Sequence, residues 1–185
     1  MSYLCGDVRD QPAHVAADAV RTGLVIGSGS NLSVRAAGSG ECWITAAGSW
    51  LDRLEPTEFS LISIPDGGAR GGHPQPSSEW RLHTETYARR PDVNAIIHLH
   101  PQTSVLLTAL GYDIALITTD HAYYLGEVAA VPFDQPGSIE LAVAAADAFA
   151  GGINALVLDH HRCSVLADSV PARFLAAVGR GEAQV

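Results

Sequence analysis

At 185 residues, with 47% apolar and 17% charged side chains, the chain is long enough to enclose one hydrophobic core and is composed like a soluble globular protein. A net charge of −9, with 11 basic residues of which none is lysine, argues against nucleic acid as a partner and closes the Schiff-base route to carbonyl chemistry, which needs a lysine amine. No apolar run reaches membrane-spanning length and residues 1–7 lack the layout of a signal peptide, so the expected compartment is the cytoplasm, with no membrane partner.

Residues 12–25 read as the first helix, with Pro12 near its start and Ala13, Ala16, Ala17, Val20 and Leu24 in an apolar stripe at helical spacing. The turn Gly27-Ser-Gly-Ser-Asn31 then feeds a short strand ending at Arg35. Its glycines and hydroxyls can crowd backbone N–H groups around an anion, or can simply make a hairpin approach. Neither a Walker loop nor a dinucleotide fingerprint is present, because the glycine spacing and the lysine are missing. Residues 41–45 form a second strand before the turn Ala46-Ala-Gly48-Ser, and residues 59–64 a third, closed by Pro65-Asp-Gly-Gly. Residues 69–76 are expected to be a loop.

Ser77 or Ser78 caps the next helix, which runs to about Arg90, and Glu79 in its first turn suits the helix dipole. Pro91 ends it, and Asn94-Ala-Ile-Ile-His98-Leu-His100-Pro101 is a strand that a proline stops. A helix over 103–110 follows, with Gly111 as its stop. Strands are expected near 114–118 and 128–131, separated by His121-Ala-Tyr-Tyr124-Leu-Gly126. An alanine-rich helix over 138–149 ends at Gly151-Gly152. A buried strand over 155–158 delivers His160 and His161, residues 163–167 supply its hairpin partner, and 171–178 a last short helix. Cys5, Cys42 and Cys163 are odd in number and show no metal or redox spacing, so they read as free thiols. The order of elements predicts an α/β fold, one domain over 1–185, in three layers around a mixed sheet.

On a strand, His98 and His100 point to the same face roughly 6–7 Å apart, close enough to bite one metal ion, while Leu99 faces the other way. The His160-His161 pair supplies a third imidazole. Three histidines around zinc with one position open make a catalytic rather than a structural site. An ion so held polarises a carbonyl or stabilises an enolate. Glu79 is the best-placed carboxylate for proton transfer. His83, one turn later, is either its neighbour or an exposed helix residue.

The segments Gly27-x-Gly-Ser-Asn-Leu-Ser-Val-Arg35, Ile44-Thr-Ala-Ala-Gly48, Pro76-Ser-Ser-Glu79-Trp-Arg-Leu-His83, Arg90-Pro-Asp-Val-Asn-Ala-Ile-Ile-His-Leu-His-Pro101 and Leu156-Val-Leu-Asp-His-His161 resemble, in this order, the class II aldolase/adducin family, and within it the L-fuculose-phosphate aldolase-like enzymes. The likeness covers roughly residues 12–168. It implies a three-layer α/β/α fold with a central, mostly antiparallel sheet, and a homotetramer with active sites at subunit interfaces. It further implies one Zn²⁺ per subunit, or another divalent transition metal, on His98, His100 and His161, with Glu79 as the acid/base group. Asn31, Gly48, Ser77 and Ser78 match the positions that hold the substrate phosphate. The implied reaction cleaves or forms a small ketose 1-phosphate, giving dihydroxyacetone phosphate and an aldehyde through a metal-stabilised enediolate.

Several positions depart from the family pattern. Ala47 replaces a frequent threonine, Arg162 follows the third histidine where glycine is usual, and the chain stops at Val185, short of the usual C-terminal tail. The stretch around Tyr124 looks more like the ribulose-phosphate 4-epimerase branch, with Tyr123 or Tyr124 as proton donors or as packing residues. Arg162 would suit a carboxylated substrate. The alternative functions are therefore a decarboxylase, dehydratase or sugar-phosphate 4-epimerase on the same scaffold, and a non-catalytic adducin-like module.

Overall fold

The structure is a computed structural model and describes residues 5–115 and 119–168, apart from the side chains of Asp120, His121 and Tyr124. In chain order it contains α1 (Asp10–Arg21), β1 (Asn31–Val34), β2 (Glu41–Thr45), two short 3-10 turns (Leu51–Arg53 and Pro56–Glu58), β3 (Phe59–Ser63), β4 (Ala69–Gly72), α2 (Trp80–Arg89), β5 (Ala95–Leu99), α3 (Gln102–Ala109), α4 (Thr119–Tyr124), β6 (Val128–Val131), α5 (Ile139–Ala150), β7 (Ala155–Leu158) and β8 (Arg162–Ala167). The strands form one sheet in the order β4-β3-β2-β1-β5-β8-β7-β6. Every pairing is antiparallel except that of β6 with β7, so the sheet is mixed and mostly antiparallel, as expected.

Alternation along β5 separates the two cores. Ala95, Ile97 and Leu99 face α1 and the Leu51–Leu54 turn, together with Ala16, Ala19 and Leu32. Ile96 faces the opposite layer, where Leu82 and Tyr87 of α2 meet Leu141, Ala145 and Phe149 of α5. Ile96, Ile97, Leu99 and Phe149 are completely or almost completely buried, each contributing about 2 kcal/mol of apolar burial. Two arginines fasten the end of α2 to this frame. Arg35 donates to the carbonyls of Val93, Arg90 and Pro91, and Arg90 donates to those of Phe149 and Ile153.

Several boundaries differ from the sequence reading. Residues 69–72, expected as loop, form the edge strand β4, which pairs with β3 through Ser60↔Gly72 and Leu61↔Gly71. Gly72 is required there, since a Cβ would meet the Phe59 carbonyl oxygen at 2.3 Å and its φ is +73°. The expected strand near 114–118 does not form at residues 114–115, and its remainder lies outside the described residues, as does the expected helix at 171–178. The stretch before Gly126 is helical instead, as α4. Glu79, rather than either serine, occupies the N-cap of α2, while Ser77 Oγ accepts from the Glu79 N–H at 3.3 Å. Among the described residues no helix is long and apolar enough to cross a membrane.

Candidate metal centre

Sheet register builds the centre. Across three neighbouring strands Asn31 of β1 lies opposite His98 of β5, and His98 lies opposite Ser164 of β8. His98 is fully buried, and its Nδ1 lies 2.6 Å from Ser164 Oγ, which leaves Nε2 directed away from that anchor. His100 follows the last residue of β5. His161 comes from the three-residue turn between β7 and β8, in which Leu158 pairs with Arg162 and the His161 N–H donates to the Leu158 carbonyl at 3.0 Å. The turn is closed by His160 at φ +54°, a left-handed conformation unusual for a side-chain-bearing residue. His160 is exposed and His161 is turned inward, so it is the second of the pair that reaches the centre.

The three imidazole rings form a near-regular triangle. Centroid separations are 6.4 Å for His98–His100, 5.8 Å for His98–His161 and 5.8 Å for His100–His161. The Nε2 atoms of all three are buried; among the described residues those of His100 and His161 make no hydrogen bond, and that of His98 faces the Glu79 carboxylate. Glu79, only 1% exposed, closes the group: Oε2 lies 3.1 Å from His98 Nε2, and Oε1 lies 3.6 Å from His161 Nε2. Ligand atoms of Glu79, His98 and His161 all fall within 4.8 Å of one another, whereas His100 stands one step outside that set. Buried lone pairs without partners are rare in folded proteins. Several converging here, on imidazoles beside a carboxylate, fit a divalent transition metal.

Arg162, the first residue of β8, places its guanidinium Nη1 on Glu79 Oε2, and Asn31 Nδ2 donates to the same oxygen at 3.0 Å. Burial pushes the Glu79 carboxyl upward, but His98, Arg162 and His161 outweigh it and hold the group well below the usual carboxylate range. Burial, assisted by the Arg162 charge, pulls His100 down to about 3, and burial pulls His161 down to about 4. His98 is lowered too, by burial against the opposing pull of Glu79. Uncharged imidazoles are the metal-ligating form. At neutral pH the centre therefore holds neutral histidines, one carboxylate and one permanent cation.

The positions matched to a phosphate site are brought partly together. The Ala47 N–H donates to the Gln75 carbonyl and the Ser77 N–H to that of Thr45, which lays the turn carrying Gly48 against the segment carrying Ser77 and Ser78. Gly48 adopts φ +77°, Ser77 is buried and Ser78 is exposed. Asn31 is also buried, with both ends of its amide engaged: Nδ2 by Glu79, and Oδ1 by His83 Nε2 at 2.6 Å. Tyr124 lies on α4, and its side chain is outside the described residues; Tyr123 is 81% exposed. Of the two readings of His83, neighbour of Glu79 or exposed helix residue, the structure excludes the exposed one, since the ring is fully buried; Ser33, Tyr87 and Ser164 were missed by sequence reasoning. Their signal was present in pattern only, as His83/Tyr87 four apart on one helix and Asn31/Ser33 two apart on one strand.

The family model described as Class II Aldolase and Adducin N-terminal domain matches residues 11–179. An L-fuculose phosphate aldolase of Methanocaldococcus jannaschii is 34% identical over 118 residues, covering 64% of this chain and 62% of that protein. A 5-deoxy-D-ribulose 1-phosphate aldolase of Bacillus thuringiensis is 28% identical over 160 residues, covering 85% of this chain and 73% of its own length. Among solved structures, YgbL of Klebsiella pneumoniae, a candidate aldolase/epimerase/decarboxylase, superposes with a TM-score of 0.83 at 26% identity, over 100% of this chain and 94% of that one. The L-fuculose-1-phosphate aldolase of Thermus thermophilus superposes with a TM-score of 0.77 at 25% identity, covering 91% and 84% of the two chains. The chain thus spans about three fifths (62%) of the Methanocaldococcus enzyme.

Proposed function

The chain belongs to the class II aldolase/adducin family, and on that premise we propose that it is a metal-dependent aldolase of a small ketose 1-phosphate, releasing dihydroxyacetone phosphate and an aldehyde. The observation that carries the reading is three buried imidazoles, His98, His100 and His161, gathered beside one ionised carboxylate, with the Nε2 atoms of His100 and His161 lacking a hydrogen-bond partner among the described residues. These three histidines are proposed to hold the ion, Zn²⁺ by preference, though imidazole also suits Mn, Fe, Co or Ni. When bound, the ion supplies Lewis acidity to the substrate carbonyl.

The remaining steps belong to the chain's own residues. Glu79 is proposed as the acid/base group. As a carboxylate it removes the proton from the carbon beside the carbonyl in the aldol direction, and in cleavage it returns that proton to the enediolate. Tyr124 is proposed to carry the proton exchanged with the aldehyde oxygen. Asn31, Gly48, Ser77 and Ser78 are proposed to bind the phosphate, with hydroxyls and N–H groups near the N-terminus of α2 suiting a dianion. We read residues 1–185 as one such domain, cytoplasmic and assembling as a homotetramer.

Arg162 supports a second reading. Its planar fork beside the centre suits a carboxylated substrate, and so decarboxylase, dehydratase or epimerase chemistry on this scaffold. Metal-loaded protein should be assayed on L-fuculose 1-phosphate, 5-deoxyribulose 1-phosphate and 5-methylthioribulose 1-phosphate by release of dihydroxyacetone phosphate. The Glu79→Gln variant is expected to lose at least about 100-fold in kcat. Full cleavage by a Glu79→Gln protein that still binds metal would remove Glu79 from its role. Carbon dioxide or an isomerised sugar as product would select the second reading.

A further inference from the structure

The face of α2 that carries Glu79 also carries His83 and Tyr87, and both reach Ser33 on β1. His83 Nδ1 lies 2.7 Å from Ser33 Oγ, and Tyr87 Oη lies 2.8 Å from the same oxygen. With His83 Nε2 at 2.6 Å from Asn31 Oδ1 and Asn31 Nδ2 at 3.0 Å from Glu79 Oε2, five side chains form one unbroken chain of hydrogen bonds. All five are buried, His83 completely.

The direction of every proton in that chain follows from its end. An ionised carboxylate only accepts, so the Asn31 amide donates through Nδ2 and accepts through Oδ1. His83 must then carry its proton on Nε2, and as a neutral imidazole it accepts on Nδ1 from the Ser33 hydroxyl. Ser33, having given its proton away, accepts from Tyr87. Burial pulls His83 down to about 3, in keeping with the neutral ring that this pattern requires.

We infer that His83 is a positioning residue for Glu79. Held as the Nε2–H tautomer, it locks the Asn31 amide, and the amide fixes Glu79 Oε2, so that Oε1 is the oxygen left to take up a proton. Oε1 is indeed buried, with no hydrogen-bond partner among the described residues. A plain packing role for His83 would need only its shape and would be indifferent to where its proton sits. The inference rests on the acid/base reading of Glu79 but is tested partly without it.

Two measurements decide the matter. Nitrogen-15 NMR of chelator-treated protein at pH 7 should show the His83 ring as the neutral Nε2–H tautomer; an Nδ1–H or doubly protonated ring overturns the inference whatever the enzyme's substrate. In turnover of the ketose phosphate that the wild type accepts, His83→Phe should lower kcat by about 10–100-fold, the usual effect of removing such an outer partner, with KM within about threefold. His83→Gln, which keeps an N–H donor for Asn31, should recover most of that loss. Equal activities for the two variants, or a change confined to KM, would overturn it. A wild type inactive on every ketose phosphate would instead overturn the aldolase reading, leaving the tautomer as the deciding result for His83.

Discussion

Replacing Arg162 with methionine tests how charge is balanced in the centre. The guanidinium touches Glu79 directly, while His98 and His161 are held below their ordinary range and stay neutral at pH 7. Opposite unit charges about 4 Å apart attract by about 4 kcal/mol at an effective dielectric near 20. Removing one member of a buried pair costs about 3–5 kcal/mol. The penalty is relieved by proton uptake, on Glu79 itself, on His98 at 3.1 Å or on His161 at 3.6 Å. Such uptake is opposed at pH 7, because His98 and His161 are held below the ordinary imidazole range and Glu79 below the carboxylate range. It becomes easier once Arg162, which itself disfavours the charged ring, is gone. The Asn31 bond to Oε2 also survives the change. We therefore expect Arg162→Met to lose about 3 kcal/mol at pH 7 with chelator present, methionine preserving the buried stem. Excess Zn²⁺ should narrow the gap to under about 1 kcal/mol, because the ion restores positive charge and binds only the folded chain. Urea unfolding with chelator and with metal, compared at constant m, reads both numbers. A loss below about 1 kcal/mol with chelator, or a gap that metal leaves unchanged, would show that the guanidinium does not neutralise this carboxylate.

Two further outcomes are expected. In chelated wild-type protein, His83 titrates near 3 when folded and near 6.5 when unfolded, so below 6.5 the unfolded chain binds more protons and stability falls with falling pH by up to about 1.4 kcal/mol per unit. His100 and His161 act in the same direction, and Glu79, depressed from 4.5, joins once the pH drops below that value. The urea midpoint should therefore drop steeply between pH 6.5 and 4.5, and a flat profile would mean that these groups are charged or solvated in the folded state. His160→Gly should raise Tm by about 1–3 °C in a thermal melt, since glycine relieves the left-handed backbone at φ +54° at the cost of some unfolded-state entropy. A lower Tm would show that the exposed imidazole makes a stabilising contact.

How much of this was legible in the sequence depended on whether the information was local. β2 and β6 formed at their expected residues because apolar and β-branched side chains mark them. Ala69-Arg-Gly-Gly72 carries no such mark and becomes a strand only because the free edge of β3 offers hydrogen bonds to it. His98 and His161 could be named from the ends of apolar runs. His83 could be placed on a helix, one turn from Glu79, but its burial depends on Ser33 and Asn31, about fifty residues earlier in the chain. Arg162 was conspicuous by type, and only the β7–β8 turn shows that its charge goes to Glu79.

The same distinction explains why the centre cannot be assembled from any one motif. Asn31, His98 and Ser164 stand in one row across β1, β5 and β8, and that row puts the amide that holds Glu79 beside the imidazole that faces it and the hydroxyl that anchors the imidazole. A slip of one residue in either pairing would turn a whole set of side chains to the opposite face. His98 would then exchange its face with Leu99, and both would be penalised: an apolar side chain would face the polar centre and an unpartnered imidazole would enter the α1 core. Register is thus fixed by the apolar residues of β5, and the geometry of the centre is a consequence of the hydrophobic pattern that surrounds it. Ile96 and Ile97, buried in the two opposite cores, specify where His98 points.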